Sequence, residues 1–229
     1  YDVHSGTRKS FDLDTAELAF RRLADEVFDH GGTGSNHSAY EASGALFNIL
    51  CIENDSIRDV YFDTFMNGTP NQDGFHTILN TIKTNDYLWP ESFTYGKVTH
   101  EVVLHLLNVV DKYRDSLNLV NTHRSTLKGA FLYQNMKYPN KTAAIRMGDS
   151  RRVKKISCEN LYLKVLAIAH RRSMNVYKNL AIQRIQGLYN DEQSFIPSIE
   201  NQGLEWENPT KLFWGVDIDL ENNFETVEY

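Results

Sequence analysis

Three short patterns carry residues able to do chemistry, and each lacks something its chemistry requires. His100-Glu101-Val102-Val103-Leu104-His105 is close to the zinc-binding His-Glu-x-x-His, with one residue too many. On a helix turning about 100° per residue, the five-residue step sets the imidazoles about 140° apart, whereas ligation from one face needs a step of four. Gly148-Asp149-Ser150 has the letters of a serine-esterase nucleophile block but no preceding strand and no identifiable His/Asp partner. Arg22 and His30 share a helical segment, the residue types of a helical ribonuclease. A histidine at a helix end is also what the negative end of the helix dipole favours. A phosphate-cradling glycine loop with a lysine and a Cys-x-x-Cys pair are both absent from the sequence. No metal, no cofactor and no catalytic residue is therefore expected, and the chain reads as a protein that is not an enzyme.

The distribution of charge says more than its sum. The chain carries 24 Lys and Arg against 30 Asp and Glu, a net charge of −6. From Lys128 to Gln186 thirteen bases meet two acids, Asp149 and Glu159, while from Asp191 to Tyr229 ten acids meet one base, Lys211. Within the basic segment Arg146, Arg151, Arg152, Lys154, Lys155, Arg171 and Lys178 are interleaved with Tyr133, Tyr162 and Tyr177. Phosphate contacts give affinity without sequence preference, and aromatic faces stack any base, so the pattern suits single-stranded RNA. A solvated helix face followed by a solubilising tail is the plain alternative.

The elements that must position these residues read as helices. Leu18, Phe20, Leu23, Val27 and Phe28 mark a helix that starts near Asp14 or Thr15 and stops at Gly31-Gly32. Another is expected from Ser38 to Cys51, and Asn67 to Gly74 is a dense turn cluster. Val102, Leu106, Val109, Tyr113 and Leu117 define the clearest helix, Thr99 to Leu117. A long pattern follows from Glu159 to Tyr189. No period-two strands and no βα alternation occur, so the fold class is all-α, a two-lobed helical core over residues 14–190. Residues 1–13 and 191–229 read as extended N-terminal and C-terminal arms. No stretch reaches the 18 or so apolar residues of a membrane helix, and Cys51 and Cys158 are expected as buried thiols in a reducing compartment.

Three blocks, in one order, resemble the coat proteins of flexible filamentous plant viruses, most nearly the potyvirus group. Ala45-Leu46-Phe47-Asn48-Ile49-Leu50-Cys51-Ile52-Glu53-Asn54 is similar to that family's helix ending in Cys-Ile-Glu-Asn. Leu104-His105-Leu106-Leu107-Asn108-Val109-Val110-Asp111-Lys112-Tyr113 is similar to its Ala-His-Phe-Ser-Asn-Val-Ala-Glu-Ala-Tyr helix. His170-Arg171-Arg172 through Lys178, with Gln186-Gly187-Leu188-Tyr189, resembles a third stretch. The resemblance implies a capsid subunit of a virion, active in the host cell cytoplasm, that coats genomic single-stranded RNA and packs on its own copies through both arms. It places the groove's Ser, Arg and Asp at Ser56, His100 and Glu159. His100 and Glu159 depart from the family residues, and Ser56 and Glu159 also suit plain helix-start roles. A negative-strand virus nucleoprotein and a helical ribonuclease remain as alternatives.

Overall fold

The structure is a computed structural model that describes residues 12–136 and 158–192, with side chains described as far as Gly187. The described residues form helices and turns with no strand, as the sequence periodicity requires. They fall into two compact units, residues 1–79 and 80–229. None of the described helices is long and apolar enough to cross a membrane. Most of both expected arms lies outside the described residues.

The first unit contains α1 (Leu13–His30), α2 (Asn36–Leu50) and α3 (Asp55–Asn67), and α4 (Phe75–Thr84) begins in it. Asp12 starts α1 by accepting the Thr15 N–H at 3.1 Å, and Asn54 starts α3 by accepting that of Ile57 at 3.1 Å. Gly68, at φ +84°, ends α3 in a conformation that disfavours a side chain. The turn after it folds back onto α1. Thr69 Oγ1 donates to the Phe28 carbonyl at 2.6 Å, and Asn71 Nδ2 donates to that of Asp29 at 2.8 Å. Both carbonyls are ones that the end of α1 leaves without helical partners. Gln72, 2% exposed, accepts from the Gly32 N–H at 3.1 Å and donates to the Ser38 carbonyl at 2.8 Å.

The second unit holds α5 (Phe93–Tyr113), α6 (Leu119–Thr122), α7 (Arg124–Ala130), α8 (Glu159–Arg171) and α9 (Asn175–Glu192). Val103, Leu104, Leu106, Leu107 and Val110 of α5 and Leu161, Val165 and Ile168 of α8 are fully buried and form its core. The helix expected to reach Leu117 ends at Tyr113, because Arg114 leaves helical geometry at φ −140° and ψ 75° and Leu117 falls in a following 3-10 turn. The pattern expected as one stretch from Glu159 to Tyr189 is two helices. Ser173, at φ +53°, stops α8: its N–H bonds the His170 carbonyl at 3.2 Å, and the Met174 N–H bonds that of Ala169 at 2.8 Å. That pair of bonds is a Schellman closure with serine in the place glycine usually takes. Cys158 is buried, but Cys51 is exposed at the end of α2, where expectation had both thiols inside.

Candidate functional site

Helix α5 buries polar groups on the same stripe as its apolar ones. Leu104, Leu107, Asn108 and Asp111 recur at helical spacing, and Asp111 is 3% exposed. A carboxylate this deep requires charged partners, and α8 supplies two where it ends against α5. Arg171 donates through Nε and Nη2 to Asp111 Oδ2, at 3.1 and 2.8 Å, and through Nη1 to Asn108 Oδ1 at 2.6 Å. Arg172 donates through Nε and Nη2 to Asp111 Oδ1 at 2.9 and 2.6 Å. The hydrogen bond to Asp111 raises the Arg172 pKa further. The acid side chain is 1% exposed while the arginines keep 28% and 23%, so the guanidiniums form the outer edge of the cluster. Nη1 of Arg172 takes no part in the clamp. Asn108 Nδ2 is buried without a hydrogen-bond partner beside it.

Lys164 stands two turns before Arg171 on α8, and His105 stands one turn before Asn108 on α5. Burial, and after it the positive charge of Lys164, lowers the His105 pKa to about 4, so its imidazole is neutral at pH 7. Over residues 105–115 and 159–172 five Lys and Arg meet three acids, which leaves this seam a modest cationic excess. Anion binding is what it can do: fixed guanidinium donors, a nearby ammonium, and a neutral imidazole for hydrogen bonding. Among the described residues no group of three or more His, Cys, Asp or Glu is placed to hold a metal ion.

The expected site residues fall in both units. Ser56 is exposed in the first turn of α3, in the first unit. His100 is 0% exposed: its Nε2–H donates to the Thr126 carbonyl at 2.7 Å, and its ring meets Tyr133 edge-on at 5.4 Å. Burial lowers its pKa to about 4, so it is a neutral core group. Glu159 is half-buried as the first residue of α8, and Lys178 is half-buried on α9. Arg171 joins the clamp. Arg146, Arg151, Arg152, Lys154 and Lys155 lie outside the described residues. Of the ribonuclease pair, Arg22 is exposed and His30 lies 4.0 Å from Glu26 on the α1 surface. Sequence reasoning passed over Asp111 and Asn108 as site residues and weighed His105 only as a zinc ligand. The available signal was an acid at a core position of an apolar helical stripe.

Comparison with known proteins gives a different family from the one the sequence blocks suggested. A family model described as the second domain of endo-acting ulvan lyase matches residues 85–228. An endo-acting ulvan lyase from Formosa agariphila is 32% identical over 226 residues, which is 95% of this chain and 27% of that protein. The chain thus spans about a quarter of the relative's length. No solved structure matches. These findings overturn the viral coat protein resemblance, and with it the virion and host cytoplasm placement, the single-stranded RNA partner and the helical homopolymer. The nucleoprotein and ribonuclease alternatives fall too, as does the expectation of a protein that is not an enzyme. The physical reason is that the similar blocks record helix boundaries: Cys51 closes α2, and Asn54 caps α3.

Proposed function

We propose a function on the premise that this chain belongs to the family of the endo-acting ulvan lyase second domain: it is the helical part of a polysaccharide lyase that acts on ulvan. The matched residues, which include all of α5 and α8, carry this reading. A lyase opens a glycosidic bond by elimination. A base removes the proton beside the sugar's carboxyl group, a carbon–carbon double bond forms, and the leaving oxygen departs and takes up a proton. The proton is acidic enough only where a carboxyl group lies next to it, so the substrate is a polyanion, and cations that hold the carboxylate favour the carbanion-like transition state.

The α5/α8 seam suits the holding part of that work. Arg172 Nη1 meets the carboxylate, Lys164 adds positive charge further along α8, Asp111 fixes both guanidiniums so that little is left to order on binding, and His105, neutral at pH 7, adds no competing anion. The test is affinity electrophoresis of the chain in gels containing ulvan, run beside an ultraviolet assay for the unsaturated uronyl ends that elimination creates. Retardation that weakens with added salt and with the pair Lys164→Gln and Arg172→Gln is expected. A chain that is neither retarded nor able to generate unsaturated ends defeats the reading.

A further inference from the structure

Helix α7 carries two cations on one face. Arg124 and Lys128 are four residues apart, which sets their Cβ atoms about 6 Å from each other, and both are exposed. Like charges at that spacing destabilise a helix, and no acid relieves them. From Asn118 to Met136 the sequence has neither Asp nor Glu, and among the described residues neither cation makes an ion pair. Each is instead fixed by a neutral partner. Arg124 donates through Nη2 to Asn121 Oδ1 at 2.9 Å, and Asn121 is itself oriented by donating through Nδ2 to Asn118 Oδ1 at 2.5 Å. The Lys128 ammonium stands 4.6 Å from the centre of the Tyr87 ring, within cation–π range. The loop that supplies this ring is strained: Asp86 and Tyr87 both hold positive φ, +52° and +70°, which is costly for residues with side chains. Gly129, next to Lys128, lets the loop lie against α7, because a side chain there would meet the Tyr87 carbonyl. Strain of this kind persists where the geometry it enforces is used, and what this loop enforces is the ring beside Lys128.

We propose that Arg124 and Lys128 form a second carboxylate-binding site, for the uronates of an acidic polysaccharide. The proposal rests on the lyase reading for the class of ligand, and it concerns α7 rather than the α5/α8 seam. In the seam Asp111 offsets part of the arginine charge; on α7 both charges are presented in full. A guanidinium and an ammonium one helical turn apart can each take one oxygen of a carboxylate. The Tyr87 ring covers one side of the ammonium and leaves its remaining N–H donors for the ligand, so the site needs no open aromatic face. Because Asn121 and Tyr87 already hold the two side chains, little freedom is lost on binding. A polymer carries many carboxylates, and a weak second contact on one strand strengthens its hold beyond that contact's own affinity.

The experiment measures retention of the whole chain on ulvan at low salt, with melting and circular dichroism to confirm that each variant is folded. Arg124→Gln and Lys128→Gln are each expected to weaken retention about 2- to 5-fold, and added salt to erase the difference. Arg22→Gln removes the same charge from the exposed surface of α1 and is expected to leave retention nearly unchanged. Tyr87→Leu and Asn121→Ala keep both cations and withdraw their supports. Each is expected to weaken retention about 2-fold, an effect that net charge alone does not produce. Retention unchanged in the α7 variants, with the Lys164→Gln and Arg172→Gln pair still weakening it, overturns the site and leaves the lyase reading standing. A loss no larger than that of Arg22→Gln reduces the two cations to a share of net charge and overturns the site as well. An unaltered chain that ulvan does not retain also overturns it, and the lyase reading falls with it only where unsaturated ends are absent too.

Discussion

Asp111 and Arg172 meet along one edge, with Nε 2.9 Å and Nη2 2.6 Å from the same oxygen, Oδ1. Arg171 takes the other oxygen, so one buried carboxylate ties the end of α8 to α5. Replacing it leaves two guanidiniums facing each other without their counter-ion. Asp111→Ala is expected to destabilise the chain by about 3 kcal/mol, read as a lower urea midpoint at constant m-value. A loss below about 1 kcal/mol, the range of a surface pair, would show that solvent already screens the clamp.

His100 makes stability depend on pH in a defined window. Its folded pKa is lowered by burial to about 4 from the ordinary 6.5, so between those values the unfolded chain binds a proton that the folded chain does not. Stability is fully present above about pH 6.5, falls as the pH drops towards 4, and stops falling below it; the full effect is of the order of 3 kcal/mol. His105 is shifted the same way and adds to the slope. His100→Gln, which keeps an N–H donor for the Thr126 carbonyl, should flatten the curve between pH 6.5 and 4 in urea unfolding. An unchanged slope would assign the acid sensitivity to other groups.

Gly129 sits where no side chain fits. A Cβ there would lie 2.8 Å from His100 Cε1 and press on the Tyr87 carbonyl. Tyr87 is itself held at φ +70°, next to Asp86 at φ +52°, so the loop has little freedom to retreat. Gly129→Ala is expected to destabilise by about 2 kcal/mol, visible as a lower melting temperature. An unchanged melt would mean that the loop moves aside freely.

Where a boundary is set by neighbours in sequence, the sequence reveals it. The start of α1 near Asp14 and its end at Gly31-Gly32 follow from capping, which acts within one turn. The break at Ser173 is hidden, because a left-handed serine is imposed by the closure around it and serine is not a usual residue for that place. Half of the clamp is legible: Asp111 at core spacing announces a buried acid, but nothing nearby announces partners 60 and 61 residues away. The basic segment misleads because a count of charges cannot show that Arg171 and Arg172 are already engaged by Asp111. The likeness to coat proteins misleads because short helix-end patterns recur in unrelated helical chains.

The turn from Thr69 to Gln72 bears on how the chain is made. It completes the end of α1 with residues 41 and 42 positions later in sequence, so α1 and α2 emerge from the ribosome before the groups that close them do. Local hydrogen bonds can form each helix as it emerges, but the first unit locks only when this turn clears the exit tunnel. Nascent chains halted with α2 outside the tunnel and Thr69 still inside it should be cut readily between α1 and α2 by protease, and chains halted with Gly74 well clear of it should resist. Translation speed across this short stretch thus sets how long the first two helices remain open to other partners.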